Sequence, residues 1–353
     1  MIPSARPGLS RAEQLAEEAD KLDLMERARA QVGSVSRSIV FPEGGDATVQ
    51  DAAVALARTG VVRPVLLDAP VELVTRLAPY LLDPEACRVP DCSHDPRVRR
   101  YAELYAARHD IPLNAAELIV RRPLYFAAMM VAEGDAHGMV AGIQSPTEDV
   151  IIATHLVLGQ AEGAAVTCSF YLFDIPGRDS EEGQLLAFTD PAMHPRPDSS
   201  ELAEIATAVA AAVEGMLGWE PRVALLSFST RGSADDAAVD LVRGACDVLR
   251  SKGATFAFDG EMQADAALNE RVAHRKLGDS PVGGRANVLV CPNLDAANIG
   301  AKLIQHFTGA TAYGPFILGF AAPVSDLSRS AQLDDVVGTA LLVAALHRSG
   351  ARP

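Results

Sequence analysis

Short apolar segments alternate along this chain with longer stretches that are rich in alanine. Each apolar segment is followed closely by Gly, Pro or Asp and then by apolar residues at helical spacing. The segments of this kind are residues 38–41, 62–67, 137–140, 223–228, 255–258 and 287–291. Repeated strand-then-helix order is typical of right-handed βαβ units, so it predicts a mainly parallel sheet covered by helices.

Three other regions complete the pattern. Residues 166–175 and 185–189 are strand-like and flank a polar turn at 177–183, which predicts an antiparallel hairpin. Apolar residues at helical spacing predict an amphipathic helix from Leu9 to about Val32 and a last helix over about 332–347. We expect this last helix to pack back on the first domain.

The length of 353 residues predicts two domains, because single hydrophobic cores rarely grow this large. Residues 1–33 form the predicted N-terminal helical extension, 34–162 with 314–353 the first α/β domain, and 163–313 the second. The predicted fold class is therefore α/β, with two three-layer αβα domains, mainly parallel sheets and an interdomain active-site cleft.

Composition and charge exclude several classes of function. Apolar residues make up 49% of the chain and aromatic residues 5%, which favours helices packed on buried parallel strands. The net charge of −15 argues against a nucleic-acid partner, because binding to a phosphate backbone depends on Lys and Arg. No run reaches the roughly 18 apolar residues that cross a bilayer, and no secretory signal opens the chain. We therefore expect a cytoplasmic protein with no membrane partner. The five cysteines are scattered and form no CxxC pair, which indicates free thiols.

Candidate chemistry lies in the loops that follow the predicted strands, since ligands of open parallel sheets bind beyond the carboxyl ends of strands. These loops are 41–44, 226–230 and 323–330. The third loop brings serine hydroxyls and Arg329 close to Asp335 at the start of a helix, where free N–H groups favour an anion. A simpler interpretation remains open, in which Ser328 ends a turn, Arg329 faces solvent and Asp335 stabilises the helix terminus.

Segments in order along the chain resemble the phosphate acetyltransferase and phosphate butyryltransferase family. The run 323–329 with Asp335 resembles the C-terminal signature of that family. The other matching segments are Val40-Phe41-Pro42-Glu43-Gly44, Tyr125-Phe126-Ala127-Ala128-Met129-Met130, Gly134-Asp135-Ala136, Gly138-Met139-Val140, residues 225–230, Asp259-Gly260-Glu261-Met262-Gln263, Ala286-Asn287-Val288-Leu289 and Asn298-Ile299. Together they span about Leu22 to His347.

The resemblance implies reversible transfer of an acetyl or other short acyl group between coenzyme A and inorganic phosphate. It implies Asp335 as the base that takes the thiol proton, Ser328 as a contact of the thiol or the developing oxyanion, and Arg329 as a phosphate ligand. A base is useful there, because a thiol with a pKa of about 8.5 is only a few per cent ionised at neutral pH. The thiolate then attacks the carbonyl carbon of an acyl phosphate.

The resemblance extends to binding residues, partners and assembly. It implies that Arg108 contacts an anionic substrate. Ser229 and Thr230 are expected to line the cleft, although such hydroxyls also commonly satisfy their own turn. Coenzyme A is then a substrate, acyl-CoA, phosphate and acyl phosphate are the partners, and no bound cofactor or metal is implied. The implied assembly is a homodimer, for which the apolar helix at 202–217 could supply the interface, and the implied fold resembles the isocitrate and isopropylmalate dehydrogenases.

One segment departs from the family pattern. Many members have Gly-Ala-x-x-Thr-Thr-x-Asp-x-x-Arg where this chain has residues 142–152 ending in Ile152. Loss of a charge-assisted contact typically costs about 1.5 to 3 kcal/mol of anion affinity. The change suggests weaker phosphate binding and room for an acyl group larger than acetyl, unless another arginine such as Arg285 reaches the same place.

Two functions from other classes remain as alternatives. An acyl-CoA-sensing protein would keep the fold and bind ligand without turnover. A metal-dependent decarboxylating dehydrogenase would share the architecture, but it needs clustered aspartates and a nucleotide loop. Neither GxGxxG nor GxxxxGK[ST] occurs in the sequence, which argues against an NAD or ATP enzyme.

Overall fold

The computed structural model describes residues 36–83, 85–89 and 91–346. The predicted N-terminal extension therefore lies outside the described residues. Among the described residues, eleven strands form one sheet. The strands are β1 (Arg37–Phe41), β2 (Val62–Leu67), β3 (Arg88–Val89), β4 (Gly138–Ala141), β5 (Cys168–Asp174), β6 (Leu185–Thr189), β7 (Arg222–Leu226), β8 (Ala257–Met262), β9 (Val288–Val290), β10 (Thr311–Leu318) and β11 (Val324–Asp326).

The sheet consists of two parallel wings joined by antiparallel strands. Its strand order is β3-β2-β1-β4-β11-β10-β5-β6-β9-β7-β8. The first wing, β3 to β11 in that order, is parallel throughout, and so is the second wing, β6 to β8. Between them, β11 pairs with β10, β10 with β5 and β5 with β6, all antiparallel. Three successive antiparallel pairings mean that the strands of the second wing run opposite to those of the first.

Helices cover both faces of the sheet. The helices are α1 (Ala47–Thr59), α2 (Glu72–Leu77), α3 (Arg97–His109), α4 (Leu113–Val120), α5 (Pro123–Ala132), α6 (Thr147–Val157), α7 (Ser199–Leu217), α8 (Ala237–Ser251), α9 (Ala264–Leu268), α10 (Glu270–Lys276), α11 (Leu294–Thr308) and α12 (Leu333–Leu346). One core cluster packs α1, α7, α8 and α12 on one face, and two others pack α3 to α6 and α9 to α11 on the opposite face. This three-layer arrangement buries both faces, as parallel sheets require.

Local sequence signals fix the ends of the long helices. Asp46 caps α1, because its Oδ1 accepts hydrogen bonds from the N–H groups of Thr48 at 2.8 Å and Val49 at 3.2 Å. Asp198 and Glu201 form a capping box at the start of α7, and Gly218 ends that helix in the left-handed conformation. These caps set where each helix begins behind its strand.

The structure confirms much of the predicted architecture. β5 and β6 form the antiparallel hairpin, and α12 packs on α1, β1 and β4 of the first wing. The two-domain boundaries stay a prediction, since one continuous sheet runs through both regions. The expectation for the helix at 202–217 is not supported, because the apolar side chains of α7 are buried against this chain's own sheet and helices.

Candidate active site

A cleft lies where the carboxyl ends of β4 and β11 meet. The two strands are parallel and in register, with Asp326 opposite Ala141, so the loops that follow them are neighbours. Helix α11, which follows β9 of the second wing, forms the facing wall. The cleft has a volume of about 550 Å³. The polar and charged residues that line it are Ser145, Thr147, Tyr171, Asp295, Asn298, Lys302, Asp326, Ser328 and Arg329.

Glu43 holds the loop after β4 in place. Its Oε2 accepts hydrogen bonds from the backbone N–H groups of Gly142 and Ile143, both at 3.0 Å. Its Oε1 accepts from those of Gln144 at 3.1 Å and Ser145 at 2.7 Å. Four donors on one carboxylate explain why an acid stands two residues after β1. The loop after β1 thus positions the loop that leads to Thr147.

Asp326, at the end of β11, is a buried carboxyl in the floor of the cleft. Only 2% of the residue is exposed. Its Oδ2 accepts a hydrogen bond from Thr147 Oγ1 at 2.6 Å, whereas Oδ1 is buried and has no hydrogen-bond partner among the described residues. Gly142 packs over Oδ1 so closely that a Cβ at that position would overlap it. The positive φ of 104° at Gly142 likewise requires glycine.

The surroundings of Asp326 favour its protonated form. Burial is the main cause that raises its pKa, to about 7, and the negative charge of Glu43 acts in the same direction. The hydrogen bond from Thr147 and the charges of Lys302 and Arg329 act against this rise without cancelling it. Asp326 therefore carries a proton in a substantial fraction of molecules at neutral pH.

Two cations line the cleft. Arg329 is exposed and projects from the loop after β11. Lys302 comes from α11, and its Nζ donates a hydrogen bond to Ser328 Oγ at 3.2 Å. Although Lys302 as a residue is exposed, desolvation lowers the pKa of its ammonium group, while the carboxyls of Asp326 and Asp335 act to raise it. In a chain of net charge −15, this arrangement suits an anionic ligand.

Asp335 lies in the first turn of α12 and borders an adjoining cavity of about 830 Å³. Its Oδ2 accepts a hydrogen bond from the N–H of Gln332 at 2.8 Å, and its Oδ1 accepts one from the N–H of Ala312 in β10 at 3.0 Å. Lys302 borders both cavities, whereas Ser328 and Arg329 line the first and Ser330 the second. The structure thus brings the predicted residues Ser328, Arg329 and Asp335 to neighbouring positions around one lysine.

Comparison with known proteins decides the family of this chain. The family model described as phosphate acetyl/butaryl transferase matches residues 23–344. The chain belongs to this family. A phosphate acetyltransferase from Thermoanaerobacterium thermosaccharolyticum is 39% identical over 307 residues, which cover 86% of this chain and 93% of that protein.

Solved structures agree with this assignment. A phosphotransacetylase from Streptococcus pyogenes superimposes with a TM-score of 0.81 at 30% identity, over 92% of this chain and 98% of that one. A 4-hydroxythreonine-4-phosphate dehydrogenase from Klebsiella pneumoniae gives a TM-score of 0.50 at 13% identity, over 90% of this chain and 100% of that one. This second similarity concerns the fold alone and supports the predicted dehydrogenase-like architecture.

The structure places Arg108 away from the transferase cleft. It lies in the last turn of α3, and its Nη1 donates a hydrogen bond to the carbonyl oxygen of Val157 at the end of α6. A cation at a helix C-terminus satisfies free carbonyl groups and the dipole. In this conformation Arg108 therefore stabilises α6, and it is not among the residues that line the cleft with Ser328.

Ser229 and Thr230 are also separated from the transferase cleft. Ser229 is fully buried, and its hydroxyl donates to Glu261 at 3.1 Å. The Thr230 hydroxyl oxygen accepts from the N–H of Gln263 at 3.0 Å. β7 lies five strand positions from β11, roughly 24 Å along the sheet, and runs in the opposite direction. Both hydroxyls are thus tied to β8 and its end, and Ser229 Oγ also accepts a hydrogen bond from the N–H of Ala234 at 3.1 Å within its own turn.

The departure from the family pattern at Ile152 falls on α6. The residue is 42% exposed and is not among those that line the cleft. Arg285 does not reach the cleft either, since it lines a separate cavity with Arg178 and Arg222. Besides Arg329, the cation that lines the cleft is Lys302.

Sequence reasoning missed Thr147, Lys302 and Asp326. Asp326 stands inside the family signature, but only the structure shows its burial and its unpartnered oxygen. Lys302 follows Asn298 by four residues, one helical turn, in a segment that already resembled the family, and this spacing was the available signal. Thr147 became visible only through its hydrogen bond to Asp326.

The described residues offer no group of three or more His, Cys, Asp or Glu side chains placed to hold a metal ion. Within the same residues, no helix is both long and apolar enough to span a bilayer.

Proposed function

We propose that this protein is a phosphate acetyltransferase that moves an acetyl group reversibly between coenzyme A and inorganic phosphate. The observation that carries the proposal is the gathering of Ser328, Arg329 and Lys302 at one cleft of an acidic chain. Two cations there can hold the phosphoryl group of an acyl phosphate, and a hydroxyl beside them can contact the reacting carbonyl group.

The proposed roles follow the family signature. Asp335 takes the proton of the coenzyme A thiol, and the thiolate attacks the carbonyl carbon of the acyl phosphate. A C–S bond forms and the C–O bond to phosphate breaks. Ser328 stabilises the oxyanion that develops on the carbonyl oxygen, and Arg329 binds the phosphoryl oxygens. Lys302 is a second cation for the same group and orients the Ser328 hydroxyl through their hydrogen bond.

The remaining predicted binding residues have less support in this conformation. Arg108 would have to release Val157 to meet a substrate, and Ser229 and Thr230 would have to release Glu261 and Gln263. We therefore assign substrate binding first to Arg329 and Lys302. Coenzyme A, acyl-CoA, phosphate and acyl phosphate are the proposed partners, and coenzyme A acts as a substrate.

We further propose a cytoplasmic homodimer. The five cysteines are all free and buried, which suits a reducing compartment. For the dimer, α11 offers a better surface than α7. Ile299, Leu303 and Phe307 lie four residues apart on one face of α11 and are 58%, 49% and 78% exposed. Apolar side chains aligned on an exposed helix face are typical of an interface.

The experiment that tests the function is a thiol-release assay with acetyl-, propanoyl- and butanoyl-CoA in the presence of phosphate. The proposal expects release with acetyl-CoA at a rate at least as high as with the other two. Faster release with propanoyl- or butanoyl-CoA would assign a different acyl preference. Binding of acyl-CoA without release would show an acyl-CoA-sensing protein instead.

The variant Ile152→Arg belongs in the same assay. If Ile152 replaces a phosphate contact, the added charge lowers the KM for phosphate and shifts the preference towards acetyl. Because Ile152 lies outside the lining of the cleft, we expect at most a small change. A large gain in phosphate affinity would show that α6 closes over the substrate.

A further inference from the structure

The proposed reaction requires two proton transfers, and one of them has no donor yet. In the direction of thioester synthesis, Asp335 takes the proton from the thiol. The departing phosphate, which would otherwise leave as a fully ionised and strongly basic anion, must gain a proton. A donor for this step has to lie in the cleft and has to hold a proton near neutral pH.

We propose that Asp326, acting through the hydroxyl of Thr147, supplies the proton that the departing phosphate takes up. The inference rests on the proposed function and goes beyond it, since it gives two residues of the cleft a task that the family signature does not imply.

The geometry of the pair suits a relay. Asp326 is 2% exposed, so its oxygens do not meet a substrate directly. Thr147 is half-buried, lines the cleft, and lies 2.6 Å from Asp326 Oδ2 through its Oγ1. When Asp326 is protonated on Oδ2, it donates to Thr147, and the hydroxyl proton of Thr147 is free to go to a phosphate oxygen. Oδ1 is buried and lies close to Gly142, so this side of the carboxyl is closed to solvent.

The groups around the pair keep Asp326 ready to donate. Those that face it from the packed elements are Glu43, Tyr171, Lys302 and Arg329. Burial and Glu43 hold its pKa at about 7 against the two cations. Asp335 is also buried, but it differs from Asp326 because each of its oxygens accepts a hydrogen bond from a backbone N–H. Two carboxyls with contrasting environments can thus divide the roles of acid and base.

Every proton in the proposed reaction is supplied and taken up by the substrates, Asp335, Thr147, Asp326 and solvent water. The thiol proton goes to Asp335, the C–S bond forms and the C–O bond to phosphate breaks. The leaving oxygen takes the proton of Thr147, which takes the proton of Asp326. The products are the thioester and hydrogen phosphate, with Asp335 protonated and Asp326 ionised. Exchange with solvent water restores both carboxyls, and in reverse each step runs backward.

The pH dependence of thioester synthesis from acetyl phosphate tests the inference. Because the donor must be protonated, kcat/KM for acetyl phosphate in the wild-type protein falls as the pH rises through about 7. Asp326→Asn keeps an acceptor for Thr147 but cannot donate a carboxyl proton. We expect this variant to lower kcat by roughly 10²-fold. Its pH profile should also lack the falling limb, that is, the decrease of kcat/KM above about pH 7. Asp295→Asn, which removes an exposed acid from the same cleft, is the matched control and keeps the limb.

The leaving group offers a second readout. In the methyl ester of acetyl phosphate, the leaving methyl phosphate is a much weaker base and departs without a proton. The ratio of wild-type to Asp326→Asn rates should therefore be large with acetyl phosphate and close to one with the methyl ester. Equal ratios for the two substrates would show that Asp326 acts only on structure and would overturn the inference.

Thr147 provides variants in case Asp326→Asn does not fold. Thr147→Val should lose the falling limb, while Thr147→Ser, which keeps the hydroxyl, should retain it. A limb that persists in Thr147→Val contradicts the relay. Failure of the proposed function looks different, since the wild-type protein would then form no thioester from acetyl phosphate and coenzyme A.

Discussion

At the scale of single residues, the site depends on how each carboxylate is paired. Glu43 accepts hydrogen bonds from four backbone N–H groups, each oxygen of Asp335 accepts one from a backbone N–H, and Asp326 accepts from Thr147 alone among the described residues. All three are acids that follow or flank strands of the first wing, and the sequence does not distinguish them. Their hydrogen-bond partners do distinguish them: Glu43 holds the loop after β4, Asp335 is the proposed base, and Asp326 is the proposed proton donor.

Asp335→Asn tests the proposed base. We expect kcat to fall by about 10²- to 10⁴-fold with a much smaller change in KM, because the lost group acts in the transition state. Steady-state kinetics on folded protein measures this. Asp334→Asn, the adjacent exposed acid, is the control. A kcat within threefold of wild type for Asp335→Asn would limit Asp335 to its structural bonds with Gln332 and Ala312.

Asp326 should also leave a signature in stability. Its pKa rises from about 4 in the unfolded chain to about 7 in the fold, so its contribution to stability is complete below pH 4 and is lost as the pH rises through 7. Asp326→Asn removes this dependence. The free energy of unfolding of the variant, measured relative to that of wild type, should therefore rise by about 3 kcal/mol between about pH 5 and about pH 8. The melting temperatures of both proteins at the two pH values test this. A difference between variant and wild type that is the same at both pH values would contradict the prediction.

At the scale of elements, the sequence predicted which segments form strands and helices better than it predicted where their loops lie. The βαβ pattern, the hairpin of β5 and β6 and the last helix all follow from local periodicity. Strand order does not, because it depends on long-range pairing. The loops after β4 and β11 are neighbours because their strands pair in the same parallel wing, whereas the loop after β7 lies in the other wing. This is why Ser328 borders the cleft and Ser229 does not, while the roles of both residues stay predictions.

The packing of α12 on β10 supplies a prediction at this scale. Gly338 lies against the ring of Tyr313, and a Cβ there would overlap the ring. Tyr313 is 3% exposed and cannot move aside freely. Gly338→Ala should therefore destabilise the protein by about 1 to 3 kcal/mol despite the better helix propensity of alanine. Thermal melting measures the loss. Gly45→Ala, with no heavy atom within 4 Å of its Cβ, is the control that should melt near wild type.

At the scale of the whole molecule, the excess of negative charge makes the few cations of the cleft decisive. The net charge of −15 leaves Lys302 and Arg329 as the positive groups of that cavity lining. Because salt screens the attraction between these two cations and phosphate, phosphate binding should weaken as the ionic strength rises. The exposed face of α11 lies beside the same cleft, so the proposed dimer interface and the proposed substrate site share one helix.

Phe307→Glu tests the proposed dimer. A charge at the most exposed apolar position of that face should dissociate the dimer into monomers at micromolar concentration. Light scattering measures the mass. Leu118→Glu, which replaces another exposed apolar residue on α4, is the control and should remain dimeric. A wild-type protein that is already monomeric would refute dimerisation under those conditions.

The most direct measurement of the central claim is the product balance of acetyl-CoA with phosphate. Free thiol and acetyl phosphate are quantified in the same reaction, with and without phosphate. We expect thiol release to require phosphate, one acetyl phosphate to form for each thiol, and Arg329→Ala to weaken the dependence on phosphate. Thiol release without phosphate, or release without acetyl phosphate, would contradict transfer of the acetyl group to phosphate by this protein.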